Sequence, residues 1–229
     1  MTDTAYDDVF YQKQIDGSYK SARIYAYLLA RVFKPVSVVD VGCGRGAWLK
    51  AFKEVGAQRL VGFDGAWNAQ ENMIEPAIVF TACDLNRPIG APGGEGPGER
   101  FDLAMSLEVA EHLAPASAPA FVESLANLAD VVLFGAAVPG QGGTNHVNEQ
   151  PATYWAKLFA ARGYAPFDYF RPLVWGDRRV DFWYQQNTFL YARRDSAAHA
   201  DLASKGLVPL ANPAFMDCVH PILYAARRK

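Results

Sequence analysis

Cysteine, net charge and long apolar runs are all scarce in this chain. Of its 229 residues three are cysteines, Cys43, Cys83 and Cys218, an odd set without C-x-x-C spacing. That excludes a disulfide-stapled scaffold and a thiolate zinc knuckle, and it predicts a cytoplasmic protein in a reducing compartment. Lys and Arg number 22 against 24 Asp and Glu, a formal net charge of -2. Such a chain offers no basic field to draw it to nucleic acid or to an anionic membrane surface, so neither is expected as a partner. No apolar stretch is long enough to cross a bilayer, and the segment Met1 to Asp8 is polar and acidic, unlike a signal peptide.

What the chain does have is apolar content, 51% against 20% charged residues, enough to bury the core of one domain with modest additions. The expected organisation is an N-terminal helical cap over residues 1–35, a central domain over 36–193, and a C-terminal helix with an irregular tail over 194–229. Helical spacing of apolar residues runs from Tyr19 to Phe33 and stops before Lys34-Pro35. Strands are then expected at Ser37–Val41, Arg59–Phe63, Ile78–Ala82, Phe101–Leu107 and Val131–Ala136. Helices are expected at Ala47–Val55, from about Ser117 to Leu128, and at Ala152–Arg162, where Gly163 marks the end. The stretch Ile89 to Arg100 holds five glycines and reads as a surface loop. Two closing strands are expected in the aromatic segment Gly163 to Tyr191, one of them at Trp183–Asn187. Beyond Arg193, Asn212-Pro213 and His220-Pro221 interrupt any pattern. The alternation predicts an α/β fold, a Rossmann-like doubly wound, mostly parallel seven-stranded sheet with helices on both faces.

The first strand runs into a glycine loop, Val38-Val39-Asp40-Val41-Gly42-Cys43-Gly44-Arg45-Gly46. Glycines there let a ligand approach the backbone, and the following helix offers unpaired N–H groups. The spacing Gly42-x-Gly44-x-x-Ala47 also satisfies the dinucleotide fingerprint, with Asp64 placed for a ribose contact in either case. An NAD(P)-dependent oxidoreductase therefore stays open at the loop. Asp40 argues the other way, since its carboxylate would repel a pyrophosphate and attract a cationic amino acid group. Asp84, just after the third strand, is placed to receive an adenine amine, and the fourth strand runs into Ser106-Leu107-Glu108.

This ordered succession resembles the class I S-adenosylmethionine-dependent methyltransferases over residues 36–136. The resemblance implies that the loop, with Asp40, Gly42, Cys43, Gly44 and Gly46, holds the methionine part of the cofactor. It likewise implies Asp64 and Gly65 at the ribose, Asp84 and Leu85 at the adenine, and Leu107 and Glu108 beside them. In the blander reading the glycines only make a tight turn and the aspartates cap helices. A non-catalytic S-adenosylmethionine-binding partner protein is a further alternative.

Glu108, Glu111 and His112 stand at i, i+3 and i+4, so a helix beginning near Glu108 would gather them on one face. His146 follows the fifth strand and the glycine loop Pro139–Thr144, and should overhang the same end of the sheet. The E-x-x-E-H pattern with a later histidine resembles the small-RNA 2'-O-methyltransferases and, for the helix alone, the ubiquinone-pathway O-methyltransferases. In those families such residues coordinate a divalent cation. The resemblance implies a metal set of Glu108, Glu111, His112 and His146, suited to magnesium or manganese more than to zinc, with Glu111, His112 and His146 catalytic. Without a metal, His146 is the better general base, and the glutamates simply favour the helix dipole.

The later residues Trp175, Asp177, Trp183, Tyr184, Gln185, Gln186 and Asn187 mix aromatic faces with amides and a carboxylate, a combination suited to a polyhydroxylated acceptor, although aromatic segments also simply pack. The glycine loop before His-Val-Asn-Glu-Gln and the segment Trp-Tyr-Gln-Gln-Asn are similar to bacterial methyltransferases of glycan or secondary-metabolite biosynthesis. The expected activity is O-methylation of a hydroxyl on a sugar, glycan precursor or small metabolite. Homo-oligomerisation is compatible with every one of these readings.

Overall fold

Short apolar runs build seven strands in the computed structural model, which describes residues 4–90 and 100–227, with side chains from residue 17 onward. The glycine-rich loop expected at Ile89–Arg100 lies almost wholly outside the described residues. The chain opens on α1 (Thr4–Ala30) and then alternates: β1 (Ser37–Val41), α2 (Ala47–Glu54), β2 (Arg59–Asp64), β3 (Ile78–Ala82) and β4 (Leu103–Leu107). It continues with α3 (Ala118–Leu128), β5 (Val131–Gly135), α4 (Ala152–Ala161), β6 (Tyr164–Phe167), α5 (Arg171–Val174), α6 (Phe182–Asn187) and β7 (Phe189–Arg193). Two short helices, α7 (Ala197–Ser204) and α8 (Pro221–Ala226), lie in the tail.

The strands form one sheet in the order β3-β2-β1-β4-β5-β7-β6. All neighbours from β3 to β5 pair in parallel, and β7 runs antiparallel between β5 and β6. The Rossmann-like doubly wound expectation is met. The chain winds outward from β1 in one direction and restarts at β4 in the other. That reversal leaves a crevice at the carboxyl ends of β1 and β4, where open α/β sheets take their ligands.

Alternation of side chains along each strand divides the core in two. Val38, Leu60, Leu103, Met105 and Leu133 face a layer made by Tyr25 and Leu29 of α1, Leu49 and Phe52 of α2, and Phe170. Val39, Val61, Ala104, Val132 and Phe134 face Phe121 and Leu125 of α3 and Trp155 and Phe159 of α4. The N-terminal helix, which starts well before the expected Tyr19, thus belongs to the main core. No helix of the described residues is long and apolar enough to cross a membrane.

Two elements differ from expectation. Trp183–Asn187, read as a closing strand, is part of helix α6. Aromatic residues raise β propensity, but here tertiary bonding decides: the buried Gln185 amide accepts from Gly176 N and donates to the carbonyls of Asp177 and Val180, satisfying the backbone of the preceding turn. The helix expected from Glu108 is a single 3-10 turn at Ala110–His112. Glu108 N still bonds to Gly135 O of the neighbouring strand, and Glu108 itself takes a left-handed φ of 56°, so the chain swings off the sheet before any helix can start.

Candidate active site at the carboxyl edge of the sheet

A cavity of about 700 Å³ opens over the ends of β1 to β4. Its lining includes Asp40, Gly42, Cys43, Gly44, Asp64, Gly65, Asp84, Leu85, Leu107 and Glu108, that is, every residue expected at the cofactor except Gly46. Gly46 has a structural job: with φ 83°, a Cβ there would lie 2.4 Å from Ile78 Cδ1, so it lets the turn close onto β3. Gly42 is tighter, with φ 88° and a Cβ position 2.3 Å from Val109 Cγ2. The loop and the turn after β4 therefore touch through a missing side chain.

Asp64 ties the loop to the second strand. One carboxylate oxygen accepts from Gly44 N and the other from Gly65 N, both at 2.7 Å. Burial raises its pKa, and those backbone donors oppose the rise. Asp40 is 4% exposed, and burial, with the neighbouring Asp64 charge, pushes it up to about 8. Asp84 is exposed, caps Asn86 N and pairs with Arg87 at 3.4 Å, while still edging the cavity beside buried Leu85. The turn-capping role and a place at the rim thus coexist in one residue.

Of one further wall of the cavity, sequence reasoning identified Tyr184 alone. Ser18 from α1, Trp48 from α2 and Tyr184 from α6 line the cavity together, with Trp48 Nε1 donating to Ser18 Oγ at 3.1 Å and Ser18 Oγ lying 3.2 Å from the Tyr184 hydroxyl. No local pattern marks Ser18 or Trp48, which only the folded chain brings to Tyr184. Of the residues expected at an acceptor, Tyr184 alone reaches the cavity. Gln186 accepts from His220 N, the Trp175 ring lies tilted against His220 at 4.6 Å, and Asp177 pairs with Arg179, all outside the cavity lining.

The acidic turn is gathered differently from a helical face. Glu108 points to the amides of Gln141 and Asn187, each donating at 2.8 Å, and burial raises its pKa. Glu111, His112 and His146 come together, their ligand atoms all within 4.8 Å of one another. Glu108 stands outside that group, which corrects the expectation of one shared helix face. His146 arrives because Val147 N and Asn148 N both donate to Glu111 O at 2.9 Å, lashing its loop to the turn. Glu111 is fully buried, and among the described residues neither carboxylate oxygen makes a well-formed hydrogen bond, with the backbone N–H groups of Glu111 and Ala137 its nearest donors. Burial and the nearby Glu108 push it up to about 9. His112 is pulled down by burial and by His146.

One further residue escaped the sequence reading. His146 Nδ1 lies 2.9 Å from Glu149 Oε1, so a proton on Nδ1 leaves Nε2 with its lone pair. Burial works against the Glu149 charge, yet the bonds from His146, Gly140 N and Gly142 N hold its pKa below the ordinary glutamate value.

A family model described as a methyltransferase domain matches residues 11–134, more than half of the chain. The chain belongs to this methyltransferase family. Membership favours S-adenosylmethionine over a dinucleotide as the cofactor of this fold. The methyltransferase is 33% identical over 85 residues to a ubiquinone biosynthesis O-methyltransferase of Bartonella quintana (strain Toulouse), a match spanning 36% of this chain and 33% of that protein. Among solved structures, an O-methyltransferase family protein from Burkholderia thailandensis superposes with a TM-score of 0.60 at 16% identity, covering 85% of this chain and 61% of the other. Magnesium protoporphyrin IX methyltransferase from Synechocystis PCC 6803 with bound SAH gives 0.54 at 19% identity, covering 77% and 83%. These structural likenesses bear on the fold, which is that of the class I methyltransferases.

Proposed function

We propose that this methyltransferase transfers the sulfonium methyl of S-adenosylmethionine to a hydroxyl oxygen of an uncharged, polyhydroxylated small molecule such as a sugar, glycan precursor or secondary metabolite. The observation that carries the reading is the cluster of Glu111, His112 and His146, with His112 lining the cavity and the Glu111 carboxylate fully buried and short of well-formed hydrogen bonds. A buried carboxylate so short of donors is costly, and a divalent cation is a group that would satisfy it. Glu111, His112 and His146 would hold the ion, with two imidazoles suiting manganese better than magnesium. When bound, it would lower the pKa of an acceptor hydroxyl and polarise its oxygen.

Asp40 would meet the cofactor ammonium, Asp64 the ribose hydroxyls, and Asp84 with Leu85 the adenine. In the transfer the C–S bond breaks, a C–O bond forms, and the hydroxyl proton passes to a base. His146 Nε2, poised by the Glu149 bond at Nδ1, is the acceptor of that proton in a second, metal-free reading. One lone pair cannot serve both roles, so chelation separates them. Among the described residues the cavity carries carboxylates at Asp40, Asp64, Asp84 and Glu108 against Arg45, a lining that favours a neutral acceptor over a polyanion.

The test is methyl transfer from labelled S-adenosylmethionine to a panel of sugars, nucleotide-free glycans and catechol-like metabolites, before and after exhaustive chelation and with manganese or magnesium restored. Activity lost on chelation and regained with manganese supports the metal reading, and full activity after chelation supports His146 as base. Calorimetry that finds affinity for NAD but none for S-adenosylhomocysteine sinks both.

A further inference from the structure

We propose that the carboxyl-terminal strap, residues 213–227, fixes the position of His146 by fastening the glycine loop behind it, with Arg227 as a positioning residue. The inference rests on the reading of His146 as a site residue given above.

The strap is anchored before it reaches the loop. Asp217 accepts from Thr153 N and Oγ1 at 2.9 and 2.6 Å. Arg171, paired with Asp168, donates to Phe215 O and Met216 O, and Met216 is buried in the core. His220 N donates to Gln186 Oε1 at 2.6 Å, and Leu223 of α8 is buried. The end of α8 is therefore held in place by contacts that do not involve the site.

At that end Arg227 Nε donates to Gly140 O at 2.7 Å, and Nη2 donates to Pro139 O. A Cβ on Gly140 would stand 2.2 Å from Arg227 Nη2, so the guanidinium fills the space that the missing side chain leaves. The peptide unit between Pro139 and Gly140 is bonded at both ends: its carbonyl to the Arg227 cation, and its N–H to the Glu149 carboxylate. Each charge polarises the unit in the same sense, which strengthens both bonds. Gly142 N also donates to Glu149, and Glu149 holds His146 Nδ1. On the other side of the ring, a Cβ on Gly143 would lie 2.2 Å from His146 Nε2.

His146 thus sits between a carboxylate and a bare backbone, both belonging to or tethered by one loop. Gly140, Gly142 and Gly143 leave that loop little side-chain packing and much backbone freedom. Its shape is imposed from outside, at Gln141 by Glu108 and Asn187 and at the Pro139–Gly140 peptide by Arg227, the cation that grips the end nearest Glu149. The sequence reading of an irregular tail gave no hint of this.

The experiment measures manganese affinity by calorimetry and electron paramagnetic resonance, S-adenosylhomocysteine affinity, and amide exchange at Gly140 and Gly142, all in the full chain. Arg227→Ala is expected to weaken manganese binding about tenfold, the low end for loss of an outer-shell partner, and to speed exchange at both amides. Affinity for S-adenosylhomocysteine should stay within about twofold of the parent value, and Arg227→Lys should recover part of the metal affinity, because it keeps a donor but loses the fork. Gly140→Ala evicts the guanidinium, whereas Gly142→Ala, at the same φ of 74° but with open space around it, adds only backbone strain. The first should therefore weaken manganese binding more than the second, and this pair decides the matter if Arg227→Ala folds poorly. Unchanged manganese affinity in Arg227→Ala, alongside its loss in His146→Ala, overturns the strap and leaves the site reading intact. Unchanged affinity in His146→Ala overturns the site reading and the strap with it, and parallel losses of metal and cofactor binding in Arg227→Ala mark general loosening and overturn the positioning role.

Discussion

Single residues in the glycine loop carry separable duties. Gly42 and Gly44 both have positive φ, but a side chain at Gly42 would run into Val109, while Gly44 has open space around its Cβ position. Left-handed backbone costs a non-glycine residue roughly 1–2 kcal/mol. Gly44→Ala is therefore expected to lose about that much stability by urea denaturation, together with cofactor affinity, because Gly44 lines the cavity. Gly42→Ala should lose distinctly more, since Val109 must move and the turn bearing Glu111 and His112 moves with it. Equal losses in the two variants would show that Val109 yields without strain. Asp64 separates from His146 in the same manner. Asp64→Ala should weaken S-adenosylhomocysteine binding by about tenfold or more, since it removes a group expected at the ribose and frees Gly44 N and Gly65 N. His146→Ala should spare that affinity and abolish turnover, and the reverse pattern would mean that the cofactor and acceptor ends of the cavity have been exchanged.

At the scale of elements, the sheet and its cofactor loop were legible because their signals are local. Apolar runs, glycines and strand-terminal aspartates each state their role within a few residues, and strands β1 to β5 follow. The turn after β4 was not legible, although Glu108, Glu111 and His112 have helical spacing. Its geometry depends on a bond from Glu108 N to the neighbouring strand and on a loop lashed down some 35 residues later. Segment Trp183–Asn187 failed for a related reason: its amides bond to partners that exist only once the chain has folded, and aromatic content misdirected the reading. Asn187 shows what that element does. It is buried, donates to Glu108 Oε1 and to Gln141 Oε1, and so favours the ionised form of a carboxyl group whose charge burial opposes. Asn187→Ala should cost about 1–2 kcal/mol of stability at neutral pH, read from the urea midpoint, with part of the loss recovered at acid pH as Glu108 takes up a proton. A loss that does not change with pH would place the cost in packing instead.

At the scale of the whole molecule, carboxyl groups buried beneath a cavity proposed to take a sulfonium cofactor should make stability and cofactor binding respond oppositely to pH. Asp40 shares its burial with Asp64 and Cys43, and its pKa of about 8 lies far above the ordinary 3.8. Because the folded value is the higher one, the native protein holds a proton that the unfolded chain has released. The stability that this supplies is fully present below about pH 4 and is lost as pH rises through 8, and Glu111 adds to the same trend up to about 9. The cofactor-free protein should accordingly melt on the order of several degrees lower at pH 9 than at pH 6. The ammonium of a bound cofactor favours ionised Asp40, so binding near neutral pH should expel a proton, and the stabilisation by S-adenosylhomocysteine should grow as pH rises. Calorimetry in buffers of different ionisation enthalpy counts that proton directly. Asp40→Asn should reduce the proton count toward zero and flatten the pH dependence of cofactor affinity, leaving in the melting curve the shares due to Asp64, Glu108 and Glu111. If proton release is the same in Asp40→Asn as in the parent protein, the ammonium lies elsewhere in the cavity, and the placement of the methionine end over the first strand is wrong.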